Sequence, residues 1–214
     1  MSARERILAR LRAAPVIPEP PPASAAAAPA MDRATLLGDF CAAIGAAHAE
    51  IHHTDDAGWP DLLLRLCREK QVNTLLVGSG TAHGDRLATV AADTPRLLAY
   101  DRPAAEWKTE LFENVDAGFT AARCAIAETG SLVLWPDEHE PRLLSLVPPI
   151  HFVLLDAAAI EPTLQSVMVR QDWGRGLPTN ALLISGPSKT SDIQQTLAYG
   201  AHGPKELVVL VRAS

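Results

Sequence analysis

Four stretches of the 214-residue chain hold residue types that can do chemistry at usable spacing. The first is Gly78-Ser79-Gly80-Thr81-Ala82-His83-Gly84. It follows an apolar run and precedes a helical pattern. Open α/β sheets place phosphate-binding turns there, because glycine allows close backbone approach and a helix N-terminus attracts anions. Asp101 closes the next apolar run, about where a ribose-binding acid would sit. The G-x-G-x-x-G pattern is incomplete, since His83 takes the third glycine's place and Gly84 comes one residue late. Gly78, Ser79 and Gly80 therefore read as an anion- or ligand-facing turn, with a plain strand-to-helix turn as the alternative.

The second stretch, Ser185 to Asp192, also lies between a strand pattern and a helical one. Ser188 precedes Lys189 where a P-loop needs glycine, so this is not a P-loop. Ser188, Lys189 and Thr190 can still cradle an anion with hydroxyls, charge and free N–H groups, or else simply cap a helix. The third stretch, Glu128-Thr129-Gly130-Ser131, sets one carboxylate between two apolar runs. That placement is costly unless the carboxylate is paired, exposed or functional. Glu128 is a candidate nucleophile or base, with Arg142 and His151 as possible partners, or a salt-bridged turn residue. The fourth is His202, in Gly200-Ala201-His202-Gly203-Pro204, which reads as an acid, base or ligand contact, or as a loop hydrogen bond. His48, His52 and His53 do not make a convincing helical metal pair, because the helix before them ends near Ala47. Cys41, Cys67 and Cys124 are dispersed, with no C-x-x-C pair, so the chain is expected to carry no metal and no cluster of its own. No G-x-S-x-G elbow is present.

The elements that must position these residues alternate along the chain. Helical patterns are predicted at 32–47, 60–70, 85–92, 104–114, 160–171 and 190–199. Strand patterns are predicted at 73–77, 96–100, 122–127, 131–135, 150–155, 181–184 and 207–211, with the segment bearing His48, His52 and His53 also extended. Such alternation predicts a three-layer α/β/α sandwich around a mostly parallel sheet. Residues 1–30 form a separate unit: a short amphipathic helix at 3–13, then a linker rich in proline and alanine. The α/β domain spans 31–214. A net charge of −6 disfavours nucleic acid and anionic membranes as main partners. No apolar run is long enough to span a bilayer, no secretory signal is recognisable, and dispersed thiols fit a cytoplasmic protein.

Taken together, four motifs resemble the LUD-domain family, in its small lactate-utilisation protein C (LutC/YkgG) branch. They are A-I-A-E-T-G-S-L-V-L at 125–134, R-L-L-S-L-V-P-P-I-H at 142–151, S-G-P-S-K-T-S-D-I at 185–193 and H-G-P-K-E-L-V-V-L-V at 202–211. The resemblance covers nearly the whole chain. It implies a fold related to the NagB/RpiA/CoA-transferase-like group. It also implies a role in a three-component system oxidising L-lactate to pyruvate, with iron–sulfur clusters in the partner subunits. The motif residues that carry over are Glu128, Thr129, Gly130, Ser188, Lys189, Thr190 and His202.

Two readings of function stand side by side. One is a subunit or accessory protein of that iron–sulfur system. The other is a stand-alone enzyme acting on a phosphorylated or CoA-linked small acid, for which Gly78–Gly80, Glu128–Ser131 and Ser188–Thr190 would converge on one anion pocket. The linker cannot bury apolar surface, so deleting residues 1–30 is expected to lower the thermal midpoint of the body by only a few degrees, measured by circular dichroism. An insoluble truncation would contradict this.

Overall fold

The computed structural model describes residues 2–13, 31–91, 94–191, 197–200 and 202–213. Helix α1 (Ala3–Ala13) leaves Ile7 and Leu8 exposed. The linker lies outside the described residues.

Helix α2 (Arg33–Ala46) starts where Asp32 caps it, its carboxylate accepting from the Thr35 N–H at 2.9 Å. Strand β1 (Glu50–Asp55), α3 (Trp59–Glu69), β2 (Thr74–Gly78), α4 (Ala82–Val90) and β3 (Arg96–Tyr100) follow. The 104–114 segment divides into a short 3-10 turn and α5 (Lys108–Glu113). The break falls at Trp107, whose buried ring packs edge-on against Tyr100 with centroids 5.0 Å apart. Then come β4 (Ala117–Ala121), the hairpin β5 (Cys124–Ile126) and β6 (Ser131–Leu134), α6 (Arg142–Leu146) and β7 (Ile150–Asp156). The 160–171 segment opens as β8 (Ile160–Glu161), not as helix, and α7 (Leu164–Arg170) begins only after Pro162, capped by Thr163. Strand β9 (Leu182–Ile184), the antiparallel pair β10 (Lys189–Ser191) and β11 (Leu197–Tyr199), and β12 (Glu206–Ala213) complete the chain.

The pair β10 and β11 replaces the helix expected at 190–199. Lys189 pairs with Tyr199, and the Gly200 N–H donates to the Ser188 carbonyl at 2.9 Å. Backbone pairing across that base outweighs the i, i+4 apolar spacing. The intervening residues 192–196 fall outside the described residues. Strand β4 and helix α6 are elements the apolar patterns did not predict. β4 is Ala-Gly-Phe-Thr-Ala, and a Cβ at Gly118 would run into the Leu144 carbonyl of α6, so the strand is small-sided because a helix presses on it.

Six strands form one all-parallel sheet in the order β1-β12-β7-β4-β2-β3. One face is covered by α3 and α4, with Trp59, Leu63 and Leu87 packed on Phe119, Phe152 and Val208. The other face is covered partly by α2 and partly by a second, four-stranded sheet in the order β8-β5-β6-β9. A fully buried side chain of this kind contributes about 1.5–3 kcal/mol. Beside β2 and β3, Leu111 and Leu144 close the same face. Lys70, at the end of α3, bridges Glu50 of β1 at 2.6 Å and Glu206 of β12 at 2.7 Å.

Gly130 joins the two layers. It has φ +60°, and a Cβ there would meet the backbone of Ala43 at 2.8 Å and the backbone nitrogen of Ile44. Gly130→Ala is expected to cost about 2–4 kcal/mol through strain plus overpacking. Gly174→Ala, with nothing within 4 Å of a Cβ, is expected to lie within about 0.5 kcal/mol of wild type. Urea titration of the two variants checks the contrast.

Candidate functional site

Parallel pairing gives the main sheet two different edges. Gly78 ends β2 and lies on the carboxyl edge; residues 202–205 precede β12 and lie on the amino edge. The Ser188 N–H donates to the Pro204 carbonyl at 2.8 Å, and the Lys205 N–H to the Pro149 carbonyl, just before β7, at 2.7 Å. The Ser185–Ser188 turn therefore belongs to the amino edge. So does the Glu128–Ser131 turn, which rests on the end of α2 and is tied by Ser131 Oγ to Ser185 Oγ at 2.7 Å. The expected single pocket is thus corrected: two of its three loops meet, and Gly78–Gly80 is on the opposite edge. The expectation treated every loop after a strand as sharing one edge, but β9 belongs to the second sheet, where it runs antiparallel to β6.

His139 packs against the Gly78 turn, while Ser79 and Asp101 line a separate cavity of about 490 Å³ with Arg102 and His139. The Ser79 N–H donates to the His139 carbonyl at 3.0 Å, and a Cβ on Gly78 would sit 2.8 Å from that same oxygen. Gly84 does the packing work of a third glycine one residue late, since its Cβ would lie 3.0 Å from the Gly78 carbonyl.

On the amino edge, a cavity of about 190 Å³ lies between α6, the end of β9 and the turn before β12. Its polar wall is Ser145, His151, Ser185, Ser188 and His202. Thr129 Oγ1, Ser131 Oγ and Ser185 Oγ form a hydroxyl chain with 2.7 Å links that ends at this wall. Three of the four motifs named above line it, and the 125–134 motif reaches it through the hydroxyl chain. Of the sequence-predicted residues, Ser188 and His202 line the cavity, and Thr129 and Ser131 reach it through the chain. Gly130 serves the packing beneath. Glu128 is exposed and Lys189 is exposed, and neither lines the cavity. The side chain of Thr190 is outside the described residues.

His151 is the residue the chemical reading undervalued. It pairs with Thr120 Oγ1 through Nε2 at 2.9 Å, not with Glu128. It is buried, and its Nδ1 has no hydrogen-bond partner. Desolvation pushes its pKa down to about 3, so the ring is neutral at physiological pH. The signal available was its position in the apolar strand pattern at 150–155. With hydroxyls, a neutral imidazole and Leu146, Leu183 and Leu207 as walls, the cavity can hold and orient a small polar molecule by hydrogen bonding.

The LUD domain model matches residues 37–211. The chain belongs to the LUD-domain family. Its similarity to the protein NMB1437 of Neisseria meningitidis is 41% identity, over 98% of this chain and 93% of that one. Lactate utilization protein C of Bacillus velezensis is 31% identical over 84% of this chain and 78% of its own length. The Bacillus subtilis protein of the same name is 26% identical over the same shares. A DUF162 family protein of Deinococcus radiodurans shares the LUD fold at a TM-score of 0.63, with 24% identity, covering 86% of this chain and 99% of that one.

The three thiols of this LUD-domain chain are free and lie in different clusters. Cys67 is in the α3 core, Cys124 is beside α7, and Cys41 lies on α2, against the cluster that α2 forms with the sheets. Burial pushes the Cys67 thiol up to about 12 and the Cys124 thiol up to about 11. Among the described residues no group of three or more His, Cys, Asp and Glu side chains is placed to hold a metal ion, and no helix is long and apolar enough to cross a membrane.

The lowered His151 pKa sets a pH dependence. Above about 6.5 neither folded nor unfolded chain protonates this ring. Below it the unfolded chain takes up the proton and the native one does not, until about 3. Stability from this residue therefore falls as pH drops from about 6.5 toward 3, by up to about 1.4 kcal/mol per unit. Denaturant unfolding between pH 7 and 4.5 is expected to show a shallower pH slope for His151→Gln than for wild type. Equal slopes would mean that the ring protonates freely in the native state.

Proposed function

We propose that this chain is a cytoplasmic component of a system that oxidises L-lactate to pyruvate, working with partner proteins that carry the iron–sulfur clusters. The observation that carries the reading is the match to proteins named lactate utilization protein C across 84% of the chain, LUD fold included. The distribution of the thiols supports the division of labour. Oxidising a 2-hydroxy acid releases two electrons that need an acceptor, and Cys41, Cys67 and Cys124 are buried or half-buried in three separate clusters. Thiols so dispersed support placing the iron–sulfur clusters in a partner. The other reading, an enzyme on a phosphorylated or CoA-linked acid, loses its main motive once the two anion-type loops stand on opposite sheet edges.

Deleting the gene is expected to abolish growth on L-lactate as sole carbon source. The tagged chain purified from its own host is expected to bring down iron-containing proteins with L-lactate oxidation activity. Normal growth of the deletion strain, together with an iron-free purification, would refute the reading.

A further inference from the structure

The carboxyl edge carries a second set of residues, separate from the amino-edge cavity. The chain runs from β2 outward to β3 and then back past β2 to β4, so the direction of winding reverses between β2 and β4. In open α/β sheets that reversal opens a crevice beyond the strand ends. Here a groove of about 270 Å³, smaller than the pockets that take drug-sized ligands, runs from α4, which follows β2, across the ends of β4, β7 and β12. Arg86 and His83 enter it from α4, one turn apart, and Arg212 enters from the end of β12.

The two arginines grip one carboxylate. Asp56 Oδ2 accepts from Arg86 Nη1 at 2.9 Å, and Asp56 Oδ1 accepts from Arg212 Nη1 at 3.0 Å. Arg86 also donates to the Asp56 backbone carbonyl. Each guanidinium has an anchor of its own. Arg212 Nη2 donates to Asp156 Oδ2 at 3.1 Å, its register partner on β7, and Arg86 lies 5.5 Å above the buried Trp59 ring. Both arginines would therefore hold their aim with Asp56 gone. Asp56, by contrast, stands on the turn after β1 with its side chain 64% exposed. Hydrogen bonding from Arg86 first, and the charges of both arginines, hold its carboxyl below the usual range. On the far side, Glu140 Oε1 accepts from His83 Nε2 at 2.8 Å and from the Ala121 N–H at 3.3 Å, which fixes the imidazole beside the groove. The sequence reading noted His83 only as a broken glycine pattern.

We propose that this groove is a binding site for a small monocarboxylic acid, whose carboxylate takes the place of Asp56 between Arg86 and Arg212. Asp56 is a resident stand-in for the ligand's anionic end. Exchange leaves the charge of the groove unchanged, so neither guanidinium is left unpaired. Asp56 lowers the apparent affinity by occupying the clamp. The use of L-lactate and pyruvate as probes rests on the lactate reading above; the clamp itself does not.

The full-length chain is titrated calorimetrically with sodium L-lactate, pyruvate and propionate at constant ionic strength. Saturable binding is expected, about tenfold or more tighter in Asp56→Asn and about tenfold or more weaker in Arg86→Gln and Arg212→Gln, the worth of one charge-assisted hydrogen bond. Should an arginine variant fail to fold, the Asp56→Asn contrast with wild type decides alone. Propionate binding with this dependence, without L-lactate or pyruvate binding, upholds the clamp and counts against the lactate reading. No saturable binding of any of the three acids to Asp56→Asn, or binding indifferent to the arginines, means that the Asp56 pairs are a structural ion bridge, and overturns the proposal.

Discussion

Six strands that all run the same way are the constraint on which the rest of this protein depends. Parallel pairing collects every strand's carboxyl end on one edge and every amino end on the other. Whether a residue sits just before or just after a strand then decides what it can meet. Gly78, Asp156 and Arg212 end strands and share the carboxyl edge, whereas His202, Pro204 and Pro149 precede strands and share the amino edge. Two motifs of similar chemistry on opposite edges cannot act on one small ligand.

The two edges differ in electrostatic character for reasons that lie in their packing. At the amino edge, the second sheet and α2 close over the main sheet, and the resulting burial keeps His151 neutral. Hydroxyls do the connecting there, from Thr129 through Ser131 to Ser185. At the carboxyl edge nothing covers the groove so fully, and charges survive because each is paired: Arg212 with Asp156 and Asp56, Arg86 with Asp56, His83 with Glu140. Buried sites are served by neutral groups and open ones by matched ions, as desolvation requires.

The glycines show how little of a motif's meaning is local. Gly78 and Gly80 look like a ligand turn, yet the close approach that needs Gly78 is made by His139 and Glu140 of the same chain. Gly130 looks like part of a reactive turn, and its positive φ lets the hairpin β5–β6 settle on the end of α2. In each case the residue type was informative about backbone approach and silent about which backbone or ligand approaches.

The sequence by itself determined the α/β class, most strands of the sheet, the cap and buried face of α2, and the family, because these rest on periodicity, local capping and contiguous motifs. It also placed Ser188 and His202 among the candidates that line a cavity. It could not reveal β4, whose alanines and glycine are dictated by the pressure of α6, nor β10 and β11, which depend on pairing with each other. Only the tertiary structure decided which candidates meet. Asp56 and Arg212 are 156 positions apart in the chain and 3.0 Å apart in space, and Ser131 finds Ser185 only because β6 and β9 pair. Spacing along the chain encodes which face of an element a residue occupies, but the edge at which that element ends is a property of the sheet as a whole.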